Sequence, residues 1–127
     1  MTGTARSFTD PATTTPFNHG HEDVVELFGT KIGLAVFEPG WRWSNDVRPL
    51  VGADHCPIFH VGYMLSGELH IDYPDGSTLD VKAGDVVAIP PGHDSWVVGD
   101  EAVRLLDWGG KGHDYPAATA SGVEAAR

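Results

Sequence analysis

The chain has 127 residues, enough for one domain with a single core. Its 18 acidic and 8 basic residues give a formal charge of -10, and this charge argues against nucleic acid and anionic membranes as partners. A single cysteine rules out an internal disulfide framework. Residues 1–16 are polar and lack the apolar core of a secretory signal, so a cytoplasmic protein is expected.

Residues 1–22 are predicted to form a flexible arm, because Thr, Pro, Ser and Gly dominate there and Pro11 and Pro16 interrupt any helix. Strands are expected at residues 24–28 and 32–37, after which Pro39 and Gly40 break the ladder. Residues 44–52 are predicted to be a loop or a poorly ordered strand. A last strand is expected from Val103 to Trp108, and residues 111–127 are predicted to be a loosely held tail.

Residues 60–96 have the clearest pattern in the chain. Apolar runs of about five residues alternate there with turn-forming groups such as Pro74-Asp75-Gly76 and Pro90-Pro91-Gly92. Runs of this length are typical of strands rather than helices. Several short antiparallel strands in close succession predict a sandwich or a small barrel.

The same stretch carries a family resemblance. The spacing of Gly84, Pro90 and Gly92 matches the start of the second cupin motif. The spacing of His60 and Gly67 matches the glutamate and glycine of the first, with His in place of Glu. Over about residues 30–109 the chain therefore resembles a single-domain cupin with a non-standard metal motif. The resemblance implies an all-β fold, a small jelly-roll β-barrel over residues 23–110, and a homodimer formed through edge strands and arms.

The cupin resemblance also places candidate metal ligands. In the first cupin motif, two histidines one residue apart are normally followed, after a count of three or four residues, by the glutamate whose position His60 holds. A count of three puts Asp54 and Cys56 at the two histidine positions, and a count of four puts Ala53 and His55 there. We favour the first count, because Asp54, Cys56 and His60 would share one face of an extended segment. The second motif has Ser95 where its histidine is expected, but His93 lies two residues earlier and would point to the same side in an extended segment.

These positions suggest a site rather than a reaction. His60, His93, Cys56 and Asp54 could hold a divalent transition metal such as zinc, iron, nickel or copper, and His60 and His93 are the candidate catalytic residues. The predicted pocket for a small organic molecule is formed by Trp43, Met64, Ser95 and Trp96. Two hypotheses follow: a metal-dependent enzyme of oxygenase, isomerase or lyase type, or a non-catalytic binding or sensor module without metal. In the simplest alternative, Cys56 and the tryptophans only fill the core.

Overall fold

The computed structural model describes residues 1–109, so the predicted tail over residues 111–127 lies outside the described part of the chain. Within residues 1–109 the fold consists of strands and two one-turn helices. Their bounds are β1 Thr13–Phe17, β2 Gly20–Leu27, β3 Thr30–Phe37, α1 Trp43–Asp46, α2 Arg48–Val51, β4 His60–Ser66, β5 Glu68–Asp72, β6 Thr78–Lys82, β7 Val86–Ile89, β8 Asp94–Val97 and β9 Val103–Asp107. Neither helix is long and apolar enough to cross a bilayer.

The strands form two antiparallel sheets. The larger sheet has the order β1-β2-β3-β9-β4-β7, and the smaller has the order β6-β5-β8. The inner faces of both sheets contribute to one core, which includes Met64 and Leu105 from the larger sheet and Leu69 and Ile71 from the smaller. The predicted all-β jelly-roll architecture is confirmed, although the two sheets are not joined into a closed barrel.

Period-two alternation explains which side chains of β9 face inward. Val103, Leu105 and Asp107 are buried, whereas Arg104 between them is exposed. Because successive side chains of a strand point to opposite faces, the two apolar residues and the carboxylate lie on the inner side of the larger sheet. The alternation therefore places the carboxylate of Asp107 in the interior.

The N-terminal region differs from the predicted arm. Residues 13–17 form β1, which pairs in register with β2, and β2 already begins at Gly20. The β-branched threonines of β1 favour a strand, and proline is tolerated on an edge strand such as this one. The domain boundary at residue 22 remains a prediction, but the sheet begins before it.

The segment after β3 also differs from the prediction. Residues 44–52 were expected to be a loop or a strand, yet this region contains most of α1 and all of α2. Pro49 lies in the first turn of α2, where a missing backbone N–H is tolerated, and Gly52 ends that helix in the left-handed conformation with φ of 75°. Trp43 is therefore placed by a helix rather than by an extended strand.

Candidate metal centre

Three metal-binding side chains meet at one end of the core. Cys56 lies between α2 and β4, His60 begins β4, and His93 immediately precedes β8. One ligand atom from each residue lies within 4.8 Å of the other two, and the two imidazole rings are 5.4 Å apart between centroids. Cys56 and His93 are buried and His60 is half-buried, so the group is largely shielded from bulk water.

Backbone hydrogen bonds bring two of these residues together. The amide of Cys56 donates to the carbonyl of His93 at 2.8 Å, and the amide of Gly92 donates to the carbonyl of Cys56 at 2.8 Å. Gly92 has φ of 95°, a left-handed conformation that glycine adopts without steric cost, so the Pro-Pro-Gly turn can direct His93 inward. These bonds join the loop before β4 to the turn between β7 and β8.

Asp107 orients the imidazole of His60. The two residues are 47 positions apart, but β4 and β9 are neighbours, and Gly62 pairs directly with Asp107. Nδ1–H of His60 donates to Oδ2 of Asp107 at 2.6 Å, which leaves Nε2 of His60 3.4 Å from Sγ of Cys56. Asp107 is only 2% exposed, so His60 is its principal charge partner.

His93 is anchored in the same way by a backbone carbonyl. Its Nδ1–H donates to the carbonyl oxygen of Pro90 at 2.7 Å, and the hydroxyl of Tyr73 donates to the same oxygen at 2.9 Å. A carbonyl can only accept, so Nδ1 carries a proton and Nε2 is the nitrogen left for a metal ion. Both histidines therefore present Nε2 as the available ligand atom.

The charges in this group reinforce each other. Burial raises the pKa of the Cys56 thiol, but hydrogen bonds and positive charge from His60 and His93 outweigh burial and lower the pKa from 9.0 to about 6. Burial lowers the pKa of His60, but Asp107 and Cys56 outweigh burial and raise it from 6.5 to about 10. Without a metal ion, the group is a thiolate beside an imidazolium that also contacts a carboxylate.

The donor set fits a divalent transition metal. One thiolate and two imidazoles suit zinc, iron, nickel or copper. Metal-ligating histidines usually donate their second N–H to a carboxylate or a backbone carbonyl, and His60 and His93 do so to Asp107 and Pro90. Cys56, His60 and His93 could therefore hold the ion, and a site with three protein ligands would leave room for water or a small molecule to bind it.

A cavity of about 210 Å³ adjoins the three donors. Its wall includes Trp43 and Ser95 of the predicted pocket residues, but neither Met64 nor Trp96. Met64 has no exposed surface and belongs to the core. Trp96 is half-buried and contacts the guanidinium of Arg42 and the ring of His70, whose centres lie 4.4 and 4.5 Å from the centre of the indole.

Comparison with known proteins identifies the domain type. Residues 54–109 match the family model described as Cupin domain. The chain contains a cupin domain. No curated protein matches the sequence.

Solved structures support the cupin fold over most of the described chain. A structure from Rhizobium leguminosarum bv. viciae has a TM-score of 0.55 and 17% identity, with 86% of this chain and 99% of that chain covered. A cupin-like protein from Thermotoga maritima has a TM-score of 0.54 and 19% identity, with 85% and 84% covered. Identities this low establish similarity of fold alone.

An enzyme also has this fold in part of its chain. The oxalate decarboxylase of Lactobacillus farciminis has a TM-score of 0.55 and 19% identity, with 75% of this chain covered. The present chain spans only about 30% of the decarboxylase. The similarity therefore concerns only a part of the larger enzyme.

The cupin domain brings together three of the four predicted ligands. Asp54 is exposed and lies outside the group of Cys56, His60 and His93, and the alternative residue His55 is also exposed. The strand face expected for Asp54, Cys56 and His60 does not form, because residues 54–59 are not in a regular strand. Asp107 was missed, although its place in the alternation of β9 is a signal that could have found it.

Proposed function

We propose that this cupin domain binds a divalent transition metal ion through Sγ of Cys56 and Nε2 of His60 and His93, and that the site acts on a small organic molecule. The observation that carries the proposal is the convergence of these three donors, with both histidines already anchored through Nδ1. An arrangement of this kind reduces the ordering that the side chains must undergo when the ion binds.

The bound ion would supply Lewis-acid polarisation of a ligand oxygen or nitrogen, or activation of water. The protein residues perform the remaining tasks. Asp107 holds the proton of His60 on Nδ1, and the carbonyl of Pro90 does the same for His93. The apolar side chains of the cavity wall exclude water and surround the body of the ligand.

A non-catalytic binding or sensor module is the second candidate function. It is favoured by the composition of the cavity wall, which consists mainly of aromatic and aliphatic side chains among the described residues. Such a wall binds a small molecule by burial of apolar surface, and this requires neither a metal nor turnover.

Elemental analysis of protein purified without added metal tests the first proposal. We expect about one transition-metal ion per chain in the wild type, and loss of the ion in Cys56→Ser, His60→Ala and His93→Ala. His70→Ala is a matched control, because Nδ1 of His70 also lies 2.6 Å from a carboxylate, that of Asp80, but away from the cavity.

Absence of metal in the wild type, also after incubation with zinc, iron, nickel or copper, would contradict the metal site. Binding of a small molecule by such metal-free protein would then support the second candidate function, a non-catalytic binding or sensor module. Turnover that disappears in both His60→Ala and His93→Ala would separate an enzyme from a binder.

A further inference from the structure

The carbonyl oxygen of Pro90 is shared by two hydrogen-bond donors. Nδ1–H of His93 donates to it at 2.7 Å, and the hydroxyl of Tyr73 donates to it at 2.9 Å. A backbone carbonyl has two lone pairs, and donors approach close to the directions of these lone pairs. Because Tyr73 occupies one of them, a single direction is left for His93. The hydroxyl therefore restricts how the imidazole ring of His93 can turn.

The ring of Tyr73 also contacts the imidazole of His93. The two ring centroids are 5.9 Å apart and the ring planes meet at 71°, an edge-to-face arrangement. Aromatic rings favour this geometry over a face-to-face one. Tyr73 thus holds the ring of His93 in two ways, through the shared carbonyl and through direct packing.

The anchor of His93 is weaker than that of His60. Nδ1–H of His60 donates to the carboxylate of Asp107, and hydrogen bonds to a charged acceptor are roughly twice as strong as those between neutral groups. The acceptor of His93 is the neutral carbonyl of Pro90. The histidine with the weaker anchor is therefore the one that Tyr73 supports.

The backbone of Tyr73 is itself fixed. Tyr73 follows β5, the central strand of the smaller sheet. Its amide donates to the carbonyl of Ser77 at 3.0 Å, and its carbonyl accepts from the amide of Gly76 at 3.0 Å. These bonds close the turn between β5 and β6. The hydroxyl thus joins that turn to the turn between β7 and β8, which carries Pro90 and leads into His93.

Tyr73 lies outside the cavity wall, so its hydroxyl is not a contact for a molecule in the cavity. Burial, together with the negative charges of Cys56 and Asp75, raises the pKa of Tyr73 to about 12. The hydroxyl therefore keeps its proton at neutral pH and remains a donor to Pro90. Its effect on the site passes through His93.

We propose that Tyr73 is a positioning residue for His93, and that its hydroxyl and its ring hold the imidazole so that Nε2 stays available beside Cys56 and His60. This inference rests on the proposed function, because it concerns a ligand of the candidate metal centre. It can also be tested in metal-free protein, since the contacts of Tyr73 with Pro90 and His93 do not involve the ion.

The ring N–H of His93 provides the test without metal. In nitrogen–proton NMR spectra of the metal-free full chain, we expect separate signals for Nδ1–H of His93 and of His60, because a hydrogen-bonded N–H shielded from water exchanges slowly. Tyr73→Phe keeps the ring contact and removes the hydroxyl. It should speed exchange of the His93 signal by about two- to tenfold, the range that corresponds to one neutral hydrogen bond, and leave exchange of the His60 signal unchanged.

Zinc affinity tests the same role in the metal-loaded protein. Competition with a chelator should show that Tyr73→Phe weakens zinc binding by about two- to tenfold. This loss is smaller than the one expected when a direct partner of a ligating histidine is removed. Tyr73→Leu also removes the ring contact and should weaken zinc binding further.

Tyr63→Phe is the matched control. Tyr63 is half-buried like Tyr73, but it lies on β4 beside the buried Met64 and so points to the other face of the sheet. It should change neither the exchange of the His93 ring N–H nor the zinc affinity. Circular dichroism of each variant shows that the fold is retained.

Exchange of the His93 ring N–H decides the outcome. A wild-type rate in Tyr73→Phe would overturn the inference, and so would equal acceleration at His60, which indicates a general loss of structure. A wild-type protein without a slowly exchanging ring N–H at His93 would overturn it as well.

Metal binding, measured separately, keeps the two proposals distinguishable. Wild-type protein that binds no zinc, but whose His93 exchange depends on Tyr73, refutes the metal site and supports this inference. Zinc-binding protein whose His93 exchange is independent of Tyr73 does the opposite.

Discussion

Asp107 is the residue through which the fold of the larger sheet controls the candidate metal centre. It does not belong to the group of three donors, but it fixes the ring of His60 and holds a proton on Nδ1, so that Nε2 is the nitrogen that a metal ion could take. Carboxylates in this role raise the basicity of the ligand as well as orienting it. Its second oxygen accepts from the amide of Gly109 at 3.1 Å, so the carboxylate itself is held in place.

Asp107→Asn should weaken metal affinity by about 10–100-fold, the range found when the partner of a ligating histidine is removed. Competition with a chelator measures this change. Asp80→Asn removes the carboxylate of the His70 pair, which has the same 2.6 Å separation but lies outside the cavity, and should leave the affinity unchanged. Equal affinities of Asp107→Asn and wild type would contradict the orienting role.

Titration of the Cys56 thiol in metal-free protein tests whether the two imidazoles stabilise its thiolate. Its thiolate absorbance should titrate with a midpoint near the lowered pKa of about 6, and His60→Ala should move the midpoint back towards 9.0, because the principal hydrogen-bond partner is lost. Cys56→Ser supplies the blank. A wild-type midpoint near 9.0 would show that the two imidazoles do not stabilise the thiolate.

The lowered pKa also has a consequence for stability. Because folding lowers the pKa of Cys56, the contribution of its thiolate is fully present above 9.0 and is lost as the pH falls through about 6. His60 has the opposite sign: its contribution is fully present below 6.5 and is lost as the pH rises through about 10.

At the residue scale, local spacing predicted those candidate site residues that lie close to the motifs in the sequence. His60 was predicted from its motif position, His93 from its place two residues before the motif position that Ser95 holds, and Cys56 from the favoured count. Asp107 was missed, because only the pairing of β9 with β4 brings it to the cavity. Asp54 was placed at the site because residues 54–60 were assumed to be extended, whereas residues 54–59 contain only an isolated bridge at Cys56.

At the scale of elements, Asp94 attaches α1 to the smaller sheet. Its carboxylate accepts from the amide of Ser44 at 3.0 Å and from Nε of Arg42 at 3.0 Å. Burial raises the pKa of Asp94, but the hydrogen bonds from Ser44 and Arg42 outweigh burial and lower it. Trp43 lies between these two donors in sequence, so this contact also sets the position of one side of the cavity wall.

Asp94→Ala should lower the free energy of unfolding by about 1–3 kcal/mol, because a half-buried amide and a guanidinium lose their acceptor. Urea denaturation measures the loss. The difference from wild type should narrow at acid pH, because stabilisation by a carboxylate of lowered pKa disappears as the pH falls through that pKa.

Asp75→Ala serves as the control, since Asp75 accepts hydrogen bonds from Ser77 within its own exposed turn, and its removal should change stability much less than Asp94→Ala does. An Asp94→Ala variant as stable as this control would show that the attachment of α1 by Asp94 contributes little to the free energy of unfolding.

The sequence predicted the inner strands better than it predicted the short helices or the edge strand β1. Alternation and turn residues define β4 to β9, and these strands were expected from residues 60–108. Helices α1 and α2 span one turn each, too short for a helical period to show in the sequence. Strand β1 is polar and mostly exposed, so it has no apolar alternation and was taken for an irregular arm.

At the scale of the whole molecule, the two edges of the larger sheet differ in character. Strand β7 ends the sheet on one side and carries Val86, which is 73% exposed, whereas the exposed residues of β1 on the other side are threonines and a proline. An exposed apolar residue on an unpaired edge favours association with another strand. The expected homodimer is therefore predicted to form through β7.

Sedimentation velocity should show a dimer for the wild type and a monomer for Val86→Lys, because a charge on an edge strand opposes pairing. Thr15→Lys places the same charge on the opposite edge and should remain dimeric. A monomeric wild type would contradict the prediction, and dissociation of Thr15→Lys alone would move the interface to β1.

The bridge between Cys56 and His93 has a consequence for how the site responds to its ligand. Because their backbones are hydrogen-bonded to each other, a displacement of one residue carries the other with it, while His60 stays fixed within the sheet. The site thus consists of one stationary donor and one coupled pair. A ligand bound at His93 should therefore slow hydrogen exchange of the Cys56 amide as much as a ligand bound at the Cys56 sulfur does.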